Sequence, residues 1–285
     1  MRILSDMSKS VKAVFFVVIA VLCLAFHDLL GKKLNQNYSI ILILWFRYLF
    51  HFLFATFHSI KIKKLSRFKR IHFLRALLMS VIGLSFITGL KYIPLSEATA
   101  INFLAPIFVL IFSFFILKEK VIQDDLIKII IGFFGILIIA RPGGDIFKIE
   151  IIFPMCAALF FAFYQVLTKI TSMYESSLIS NYYLGFYAFF LTSLVLPFFW
   201  EKIAPNDLIF FLLVGVFGTF AHTLFNKAYV LESPVKLAPY SYMQILFATL
   251  LGFIFFGTIP DLTTFLGIFI IFCSGLNIRL HKKEQ

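Results

Sequence analysis

The sequence predicts an all-α membrane protein with ten transmembrane helices, arranged as two inverted repeats of five helices. Three observations lead to this prediction: a succession of long apolar runs, an uneven distribution of basic residues between them, and an internal repeat. Hydrophobic residues make up 61% of the chain and charged residues only 14%. This is more apolar surface than a water-soluble core can hide, so the composition indicates a membrane protein.

Ten apolar runs follow one another with short loops between them. A helix of about twenty apolar residues crosses the hydrocarbon core, because each residue adds about 1.5 Å. The first run ends near Leu30; it lacks a small-residue cleavage site and its pattern recurs later, so we interpret it as a mature helix and not a signal peptide. The run 126–141 is shorter, and Lys128 can extend from it to the interface. The other runs are 38–60, 72–91, 96–117, 151–169, 178–199, 207–227, 236–257 and 262–279.

The basic residues predict the orientation of these helices. With the N-terminus inside, six of the 26 basic residues fall outside, Arg47 lies within a helix, and the other 19 fall inside. Loops rich in Lys and Arg stay in the cytoplasm, so we predict a multi-pass protein of the cell (inner) membrane with both termini cytoplasmic. The basic charge lies in these short loops and therefore reflects orientation, not nucleic-acid binding.

An internal repeat relates the two halves of the chain. FHDLLGKKL, from Phe26, matches FYQVLTKIT, from Phe163, and 98–108 matches 237–247. Because each half has an odd number of helices, the two copies must lie in opposite orientations. Inverted repeats are typical of secondary transporters, whose solute site lies at the repeat interface near mid-membrane.

Several motifs occur in a fixed order over nearly the whole chain: HDLLGKKL, LWFRYLF, GLKYIPLSEATAINFLAPIFVLIFSFFILKEK, ARPG and KLAPYSYMQILFATLLGFIFFGTIPDLTTFLG. Their order and doubled occurrence resemble the EamA-type branch of the drug/metabolite transporter superfamily. The resemblance implies an EamA-like repeat in each half, 1–141 and 151–285, around a central cavity lined mainly by helices 1, 3, 4, 6, 8 and 9. It also implies alternating-access transport of a small organic metabolite, such as an amino acid, a nucleotide-like metabolite such as S-adenosylmethionine, or a vitamin such as riboflavin.

Polar side chains at membrane depth usually face a cavity or a partner, which makes them candidates for solute binding. Asp28 either pairs locally with Lys32 or lines the cavity. Arg47 braces Asp28, extends to the surface, or binds an anionic group of the solute. The predicted substrate-binding residues are Asp28, Arg47, Thr99, Asn102, Pro106, Tyr164, Gln165, His222, Asn226, Tyr240, Tyr242 and Gln244.

The residue types in this set predict what the cavity binds. Asn102 can hydrogen-bond between helices, and Pro106 leaves a backbone carbonyl free for a ligand or water. Tyr and Gln side chains on helices 6 and 9 form an aromatic and amide lining, which suits a planar or zwitterionic solute better than a bare ion. The alternatives are tyrosines placed at the membrane interface and a His222 that serves only packing.

Few groups inside the runs can carry a coupling proton: Asp28, Glu97, His27, His51 and His222. This scarcity favours exchange or facilitated transport over proton coupling. Glycines at 132, 135, 267 and 275 allow close helix approach, so we predict that helices 5 and 10 are packing elements outside the site.

The sequence argues against an enzyme. It contains no Walker, HExxH or GxSxG pattern, and its loops are too short and too poor in His, Asp and Glu for a membrane-embedded transferase. The cysteines lie singly in apolar runs, so we predict no disulfide, metal, cofactor or catalytic residue. The predicted partners are a small-molecule solute and the lipid bilayer, with the chain acting as a monomer or homodimer. A lipid-intermediate flippase shares this fold and is the alternative function.

Overall fold

The computed structural model describes residues 8–59, 66–118, 123–140, 149–257 and 261–275. Within these residues every regular element is helical. The α-helices are α1 (Lys9–Leu34), α2 (Ile40–Ser59), α3 (Lys69–Tyr92), α4 (Leu95–Asn102), α5 (Ala105–Phe112), α6 (Gln123–Ala140), α7 (Ile152–Ser172), α8 (Ser177–Val195), α9 (Leu208–Leu231), α10 (Pro234–Ser241), α11 (Met243–Phe256) and α12 (Leu262–Gly275). The last three residues of the ARPG motif, Arg2 and the C-terminal basic tail lie outside the described residues, as does the side chain of Glu97.

Seven helical segments are long and apolar enough to cross a membrane. They correspond to α1, α2, α3, α7, α8, α9 and the combined stretch of α10 and α11. Shorter apolar helices lie at Ala105–Leu117, Leu126–Ile139 and Leu262–Ile271. Large apolar side chains such as Phe57, Phe115 and Phe198 are exposed, as suits a surface that lipid covers. The chain is therefore a multi-pass membrane protein.

Serine caps begin several of these helices. The hydroxyl of Ser176 accepts from the backbone N–H of Ile179 at the start of α8. Ser233 does the same for Lys236 at the start of α10, where Pro234 occupies the first helical position. A serine oxygen in this position satisfies an N–H group that has no partner within the helix. These serines therefore fix where α8 and α10 begin.

The run 96–117 is not the single helix that the sequence predicts. The structure interrupts it: α4 ends at Asn102, and α5 begins after two intervening residues. Pro106 has no N–H and cannot donate to the carbonyl of Asn102, four residues earlier. The matching run in the second half is also divided, because Pro239 lies within α10 and the helix breaks at Tyr242. Discontinuous helices of this kind place backbone ends inside a membrane protein.

The helices pair in a pattern that repeats between the halves. Helix α1 packs along α9, and α3 packs along α7; α2 packs along α8, and α6 along α12. Helices α1 to α6 correspond in order to α7 to α12. Under this correspondence the pair α1–α9 becomes the pair α7–α3, whereas the pairs α2–α8 and α6–α12 each consist of two corresponding helices. The contacts therefore have the form expected of two related halves packed face to face.

Glycines allow α6 and α12 to approach at backbone distance. A Cβ atom on Gly135 would lie 2.8 Å from the carbonyl oxygen of Gly267, and one on Gly267 would lie 2.6 Å from that of Gly135. Neither position has room for a side chain. This close approach agrees with the packing role predicted for helices 5 and 10.

Two lysines at matching positions bind the carboxyl ends of long helices within their own halves. Lys32, near the end of α1, donates to the carbonyl of Ile93 at the end of α3 over 3.3 Å. Lys169, near the end of α7, donates to the carbonyls of Tyr229 and Glu232 at the end of α9 over 2.9 and 3.3 Å. A cation there complements the negative end of the helix dipole and satisfies carbonyls that the helix leaves free.

Candidate functional site

A small cavity lies where the two halves meet. Its walls come from α1, α2, α3 and α4 of the first half and from α7, α9 and α11 of the second. Its volume is about 50 Å³, which is enough for water molecules and far below the volume of a typical pocket for a small organic ligand. The lining residues are Leu24, His27, Asp28, Arg47, Met79, Ile82, Gly83, Phe86, Ile87, Asn102, Phe161, His222 and Gln244.

A second, smaller cavity of about 10 Å³ adjoins the breaks in the two discontinuous helices. Asn102, Phe161 and Gln244 line both cavities. Pro106 and Gln165 line only the second. These three side chains therefore stand between the two spaces.

Asp28 is held by groups from both halves. It is 7% exposed, and its Oδ1 lies 2.9 Å from Nδ1 of His27. Its Oδ2 accepts from Nε2 of Gln244 over 2.9 Å. Both carboxylate oxygens therefore have a partner, and one of these partners comes from the opposite half. The sequence also allowed a local pair between Asp28 and Lys32. In the structure Lys32 donates to the carbonyl of Ile93.

Arg47 is 5% exposed and donates through Nη2 to Nε2 of His222 over 2.9 Å. Arginine has only donors, so Nε2 of His222 must be the acceptor. This places the imidazole proton on Nδ1 and makes the ring neutral. Among the described residues, Nε of Arg47 and Nδ1 of His222 have no hydrogen-bond partner. The guanidinium thus has a buried N–H donor, on Nε, that a ligand acceptor could bind.

The cavity is lined by one carboxylate, that of Asp28, and one guanidinium, that of Arg47. Among the described residues, Asp28 and Arg47 form no ion pair within 4.0 Å. Buried charges are costly unless they are paired, so two separated charges at one cavity are an arrangement that a ligand carrying both signs would stabilise.

A polar network leads from this cavity to one end of the molecule. The ring centroid of Tyr164 lies 5.7 Å from that of His222. Arg75, fully buried on α3, donates to the hydroxyl of Tyr164 over 3.3 Å and to Oγ of Ser180 over 2.6 Å. Its Nη1 also lies 3.0 Å from Nδ1 of His72. One guanidinium therefore ties α3 to α7 and α8.

Glu175 closes this end of the molecule. One of its oxygens lies 2.9 Å from Nε2 of His72. The other accepts from the hydroxyl of Ser66 over 2.6 Å and from the backbone N–H of Arg67 over 3.1 Å. Burial alone would raise the pKa of Glu175, but the hydrogen bonds from Ser66 and His72 outweigh it and hold the pKa below its ordinary value. We call these contacts, formed by Ser66, Arg67, His72 and Glu175, the Glu175 closure.

Related contacts join the halves at the other end. The hydroxyl of Tyr38 donates to Asp207 over 2.6 Å, and the backbone N–H of Ser39 donates to Glu201 over 3.1 Å. The hydrogen bond to Asp207 raises the pKa of Tyr38. We call this set the Tyr38 closure. In both closures a carboxylate from the second half binds a loop of the first.

The structure brings together about half of the predicted site residues. Asp28, Arg47, Asn102, His222 and Gln244 line the main cavity, and the second cavity adds Pro106 and Gln165. The amide oxygen of Gln165 also accepts from the hydroxyl of Tyr229 over 2.5 Å.

The other predicted residues lie elsewhere. Thr99 is fully buried and Tyr164 belongs to the Arg75 network. Asn226 donates to Asn181 of α8. Tyr240 packs against the apolar cluster between α1 and α9.

Tyr242 packs away from both cavities. Its ring centroid lies 5.3 Å from that of Phe103, and a Cβ on Gly132 would overlap the ring at 2.4 Å. It therefore fixes α6 against the break between α10 and α11.

Sequence reasoning missed several cavity residues. Phe161 lies one helical turn before Gln165, so helical spacing was sufficient to find it. His27 was considered only as a proton carrier. Arg75, which lines neither cavity but binds Tyr164, was also missed, because it was counted only among the basic residues of the inner side.

Comparison with known families gives the match that decides the class of the protein. Two stretches, 11–141 and 148–278, match the EamA-like transporter family. The chain belongs to this family. The resemblance drawn from the sequence motifs is therefore confirmed.

Several relatives of this EamA-like protein carry names. It is 26% identical over 263 residues to a protein of Rickettsia prowazekii (strain Madrid E) named S-adenosylmethionine uptake transporter, covering 91% of this chain and 89% of that protein. It is 31% identical over 209 residues to the riboflavin transporter of Vibrio cholerae, covering 71% of this chain and 69% of that protein. These names and the family indicate a transporter of a small-molecule solute rather than an enzyme.

The fold is shared with a solved crystal structure. The superposition has a TM-score of 0.74 and covers 94% of this chain and 95% of the other, at 16% sequence identity. At this identity the likeness concerns the fold alone.

Proposed function

We propose that this chain is a secondary transporter that takes up a small zwitterionic metabolite of the S-adenosylmethionine type across the inner membrane. The observation that carries the proposal is the pair of separate buried charges, Asp28 and Arg47, at a cavity between the two halves. A solute with both a carboxylate and cationic groups satisfies both charges at once. S-adenosylmethionine has this composition, whereas riboflavin is uncharged near neutral pH and would bring no counter-ion for either charge.

Each part of such a solute has a complementary group in the cavity. The Nε and Nη2 edge of Arg47 is the edge that binds a carboxylate in bidentate fashion, and Nε has no hydrogen-bond partner among the described residues. Asp28 attracts the ammonium or sulfonium group. The side-chain oxygen of Asn102, which likewise has no partner in the described part of the chain, is a further acceptor for the ammonium. Phe86 and Phe161 offer aromatic faces to a purine ring.

We assign ten membrane spans to the chain, in two inverted repeats of five. The seven long helical segments and the three shorter apolar ones make up this number. The matched helix pairs and the equivalent breaks in the two discontinuous helices support the repeat, with 1–141 and 151–285 as its two units. The basic loops support cytoplasmic termini. One chain supplies the walls of the main cavity from both of its halves, so a second copy is not needed to complete it.

Transport then proceeds by alternating access. The structure corresponds to a compact state in which the Glu175 closure and the Tyr38 closure are both formed around a cavity too small for the solute. Breaking the Tyr38 closure admits the solute from outside, and breaking the Glu175 closure releases it inside. The two closures bind different loops, so one can open while the other stays formed.

Uptake into proteoliposomes tests the proposal. Purified full-length protein should accumulate radiolabelled S-adenosylmethionine saturably, and unlabelled S-adenosylmethionine should compete. Arg47→Gln should raise the KM strongly, because it removes the carboxylate-binding edge. Transport of riboflavin without transport of S-adenosylmethionine would reject the zwitterionic substrate.

A further inference from the structure

We propose that uptake is coupled to one proton carried by His222, and that Arg47 makes proton binding depend on the solute. This inference rests on the transport function proposed above and adds its energy source. Its basis is the hydrogen bond between Nη2 of Arg47 and Nε2 of His222, both at the cavity.

The hydrogen bond excludes a proton from His222 while the cavity has no solute. A neutral imidazole has one lone pair in the ring plane, and here that lone pair, on Nε2, accepts from Arg47. Protonation of Nε2 would turn the acceptor into a donor that faces another donor. His222 therefore gains a proton only after Arg47 has let go.

The surroundings of His222 reinforce this exclusion. His222 is 2% exposed and packed among four helices. Arg47 and His51 face it from α2, with the His51 ring centroid 6.1 Å away. Tyr164 faces it from α7 and His27 lies near Arg47 on the α1 side, while α8 contributes the neutral Asn181 to this face of α9.

Arg75 lies beyond Tyr164 and adds a second guanidinium on this side of His222. Asp28, the anion of the same cavity, is bonded to His27 and Gln244. An imidazolium at His222 would therefore stand beside the guanidinium of Arg47 with no anion bonded to either of them, and buried charges are costly unless they are paired.

A solute carboxylate reverses each of these conditions. When it binds the Nε and Nη2 edge of Arg47, it offsets the charge of the guanidinium and draws Nη2 away from His222. The lone pair on Nε2 is then free, and a proton from the outer aqueous phase forms an N–H bond there. When the carboxylate leaves on the inner side, Arg47 returns to His222, and the proton passes to water.

Coupling of this kind is reciprocal. The solute raises the proton affinity of His222, and the proton raises the affinity for the solute by the same factor. A proton does not cross without the solute, which prevents a leak. The scarcity of buried carboxylates, which favoured exchange from the sequence, is no obstacle, because a histidine controlled by an arginine serves as the proton site.

Proteoliposomes with purified full-length protein test the inference, with S-adenosylmethionine as the probe. Potassium and valinomycin clamp the membrane potential, and a trapped fluorescent dye reports the luminal pH. An acid exterior should drive accumulation above equilibrium, and each solute that enters should bring about one proton into the lumen. Uptake that ignores the pH gradient and moves no protons would overturn the coupling and leave the transport function intact. Absence of any S-adenosylmethionine transport would reject the transport function itself.

Variants then locate the proton. His222→Gln retains an acceptor for Arg47 but does not titrate, so whatever uptake remains should no longer respond to the pH gradient and should bring no proton into the lumen. His51→Gln alters a neighbouring histidine that lies outside the cavity lining and should retain accumulation driven by the pH gradient. If His222→Gln accumulates normally and His27→Gln does not, the proton belongs to the His27–Asp28 pair and the assignment is wrong. If His222→Gln does not fold, the luminal pH measurement on the unaltered protein still decides whether coupling exists.

Discussion

The side-chain amide of Gln244 donates to the carboxylate of Asp28 over 2.9 Å and joins α11 of the second half to α1 of the first. His27 lies against the other carboxylate oxygen. The position of the one acidic charge in the cavity is therefore fixed jointly by both halves. Any relative movement of the halves must stretch or replace the bond to Gln244, so the acid is sensitive to the conformational state of the protein.

Removal of this charge should weaken solute binding. Asp28→Asn keeps the shape of the side chain but loses the attraction for a cationic group. Because hydrogen bonds to charged groups contribute about 1.5–3 kcal/mol, the KM for S-adenosylmethionine uptake should rise about ten- to a hundredfold. Asp124→Asn changes an exposed carboxylate at the start of α6 and is the matched control. An unchanged KM in Asp28→Asn would remove Asp28 from the binding site.

Loss of the Glu175 closure should open the cytoplasmic end. Glu175→Gln weakens the contacts to Ser66 and His72. A reporter cysteine at Thr171, which is fully buried near this closure, should then react faster with an impermeant maleimide applied from the cytoplasmic side. The native cysteines 23, 156 and 273 are first replaced by alanine.

The opposite end of the molecule provides the control for this experiment. Glu201→Gln weakens the Tyr38 closure and should leave labelling of the Thr171→Cys reporter unchanged. Equal labelling rates with and without Glu175→Gln would show that Glu175 does not close this end.

The same carboxylate predicts a pH dependence of stability. The pKa of Glu175 is lowered from 4.5 in the folded protein, so the unfolded chain binds its proton more tightly. Its stabilising contribution is complete above the unfolded value and is lost as the pH falls through the lowered pKa. The difference in Tm between the unaltered protein and Glu175→Gln should stay constant from neutral pH to about pH 5 and narrow only below 4.5. If the difference in Tm narrowed between pH 7 and 5, the pKa of Glu175 would be raised and not lowered in the folded protein.

Substitution at the crossing of α6 and α12 should destabilise the fold. A valine at Gly135 would place its Cβ against the backbone of Gly267, so Gly135→Val must separate the helices. Overpacking of this kind costs about 1–3 kcal/mol, which a lower Tm in detergent should report. Gly31→Ala is the control, because a Cβ there meets nothing within 4 Å and alanine favours the helix. Equal Tm values for the two variants would mean that the crossing relaxes freely.

The helices were predictable because lipid imposes a strong constraint. The long apolar runs and the close approach at Gly135 and Gly267 were derived from the chain, whereas the breaks near Pro106 and Pro239 were not, because a membrane helix can also contain proline without being divided. The polar cavity residues Asp28, Arg47 and Gln244 were also conspicuous, since such side chains are rare within an apolar run.

The partners of these residues were not predictable in the same way. Sequence spacing suggested that Arg47 braces Asp28, but the guanidinium bonds to His222 instead. This contact depends on which faces α2 and α9 turn toward each other in the folded protein, and no local sequence pattern determines that. The contact of the Tyr242 ring with Gly132 was not foreseen for the same reason, because Gly132 lies on a different helix.

The hydrogen bonds of Lys32 and Lys169 differ in kind from those of Glu175 and Asp207. Each lysine binds the end of a long helix within its own half, whereas Glu175 and Asp207 bind loops of the opposite half. In the proposed alternating-access cycle, bonds within a half need not break when the halves rock, whereas each of the two closures must open and form again. A faster transporter would thus be sought by weakening the closures, and a more durable one by strengthening the bonds within a half.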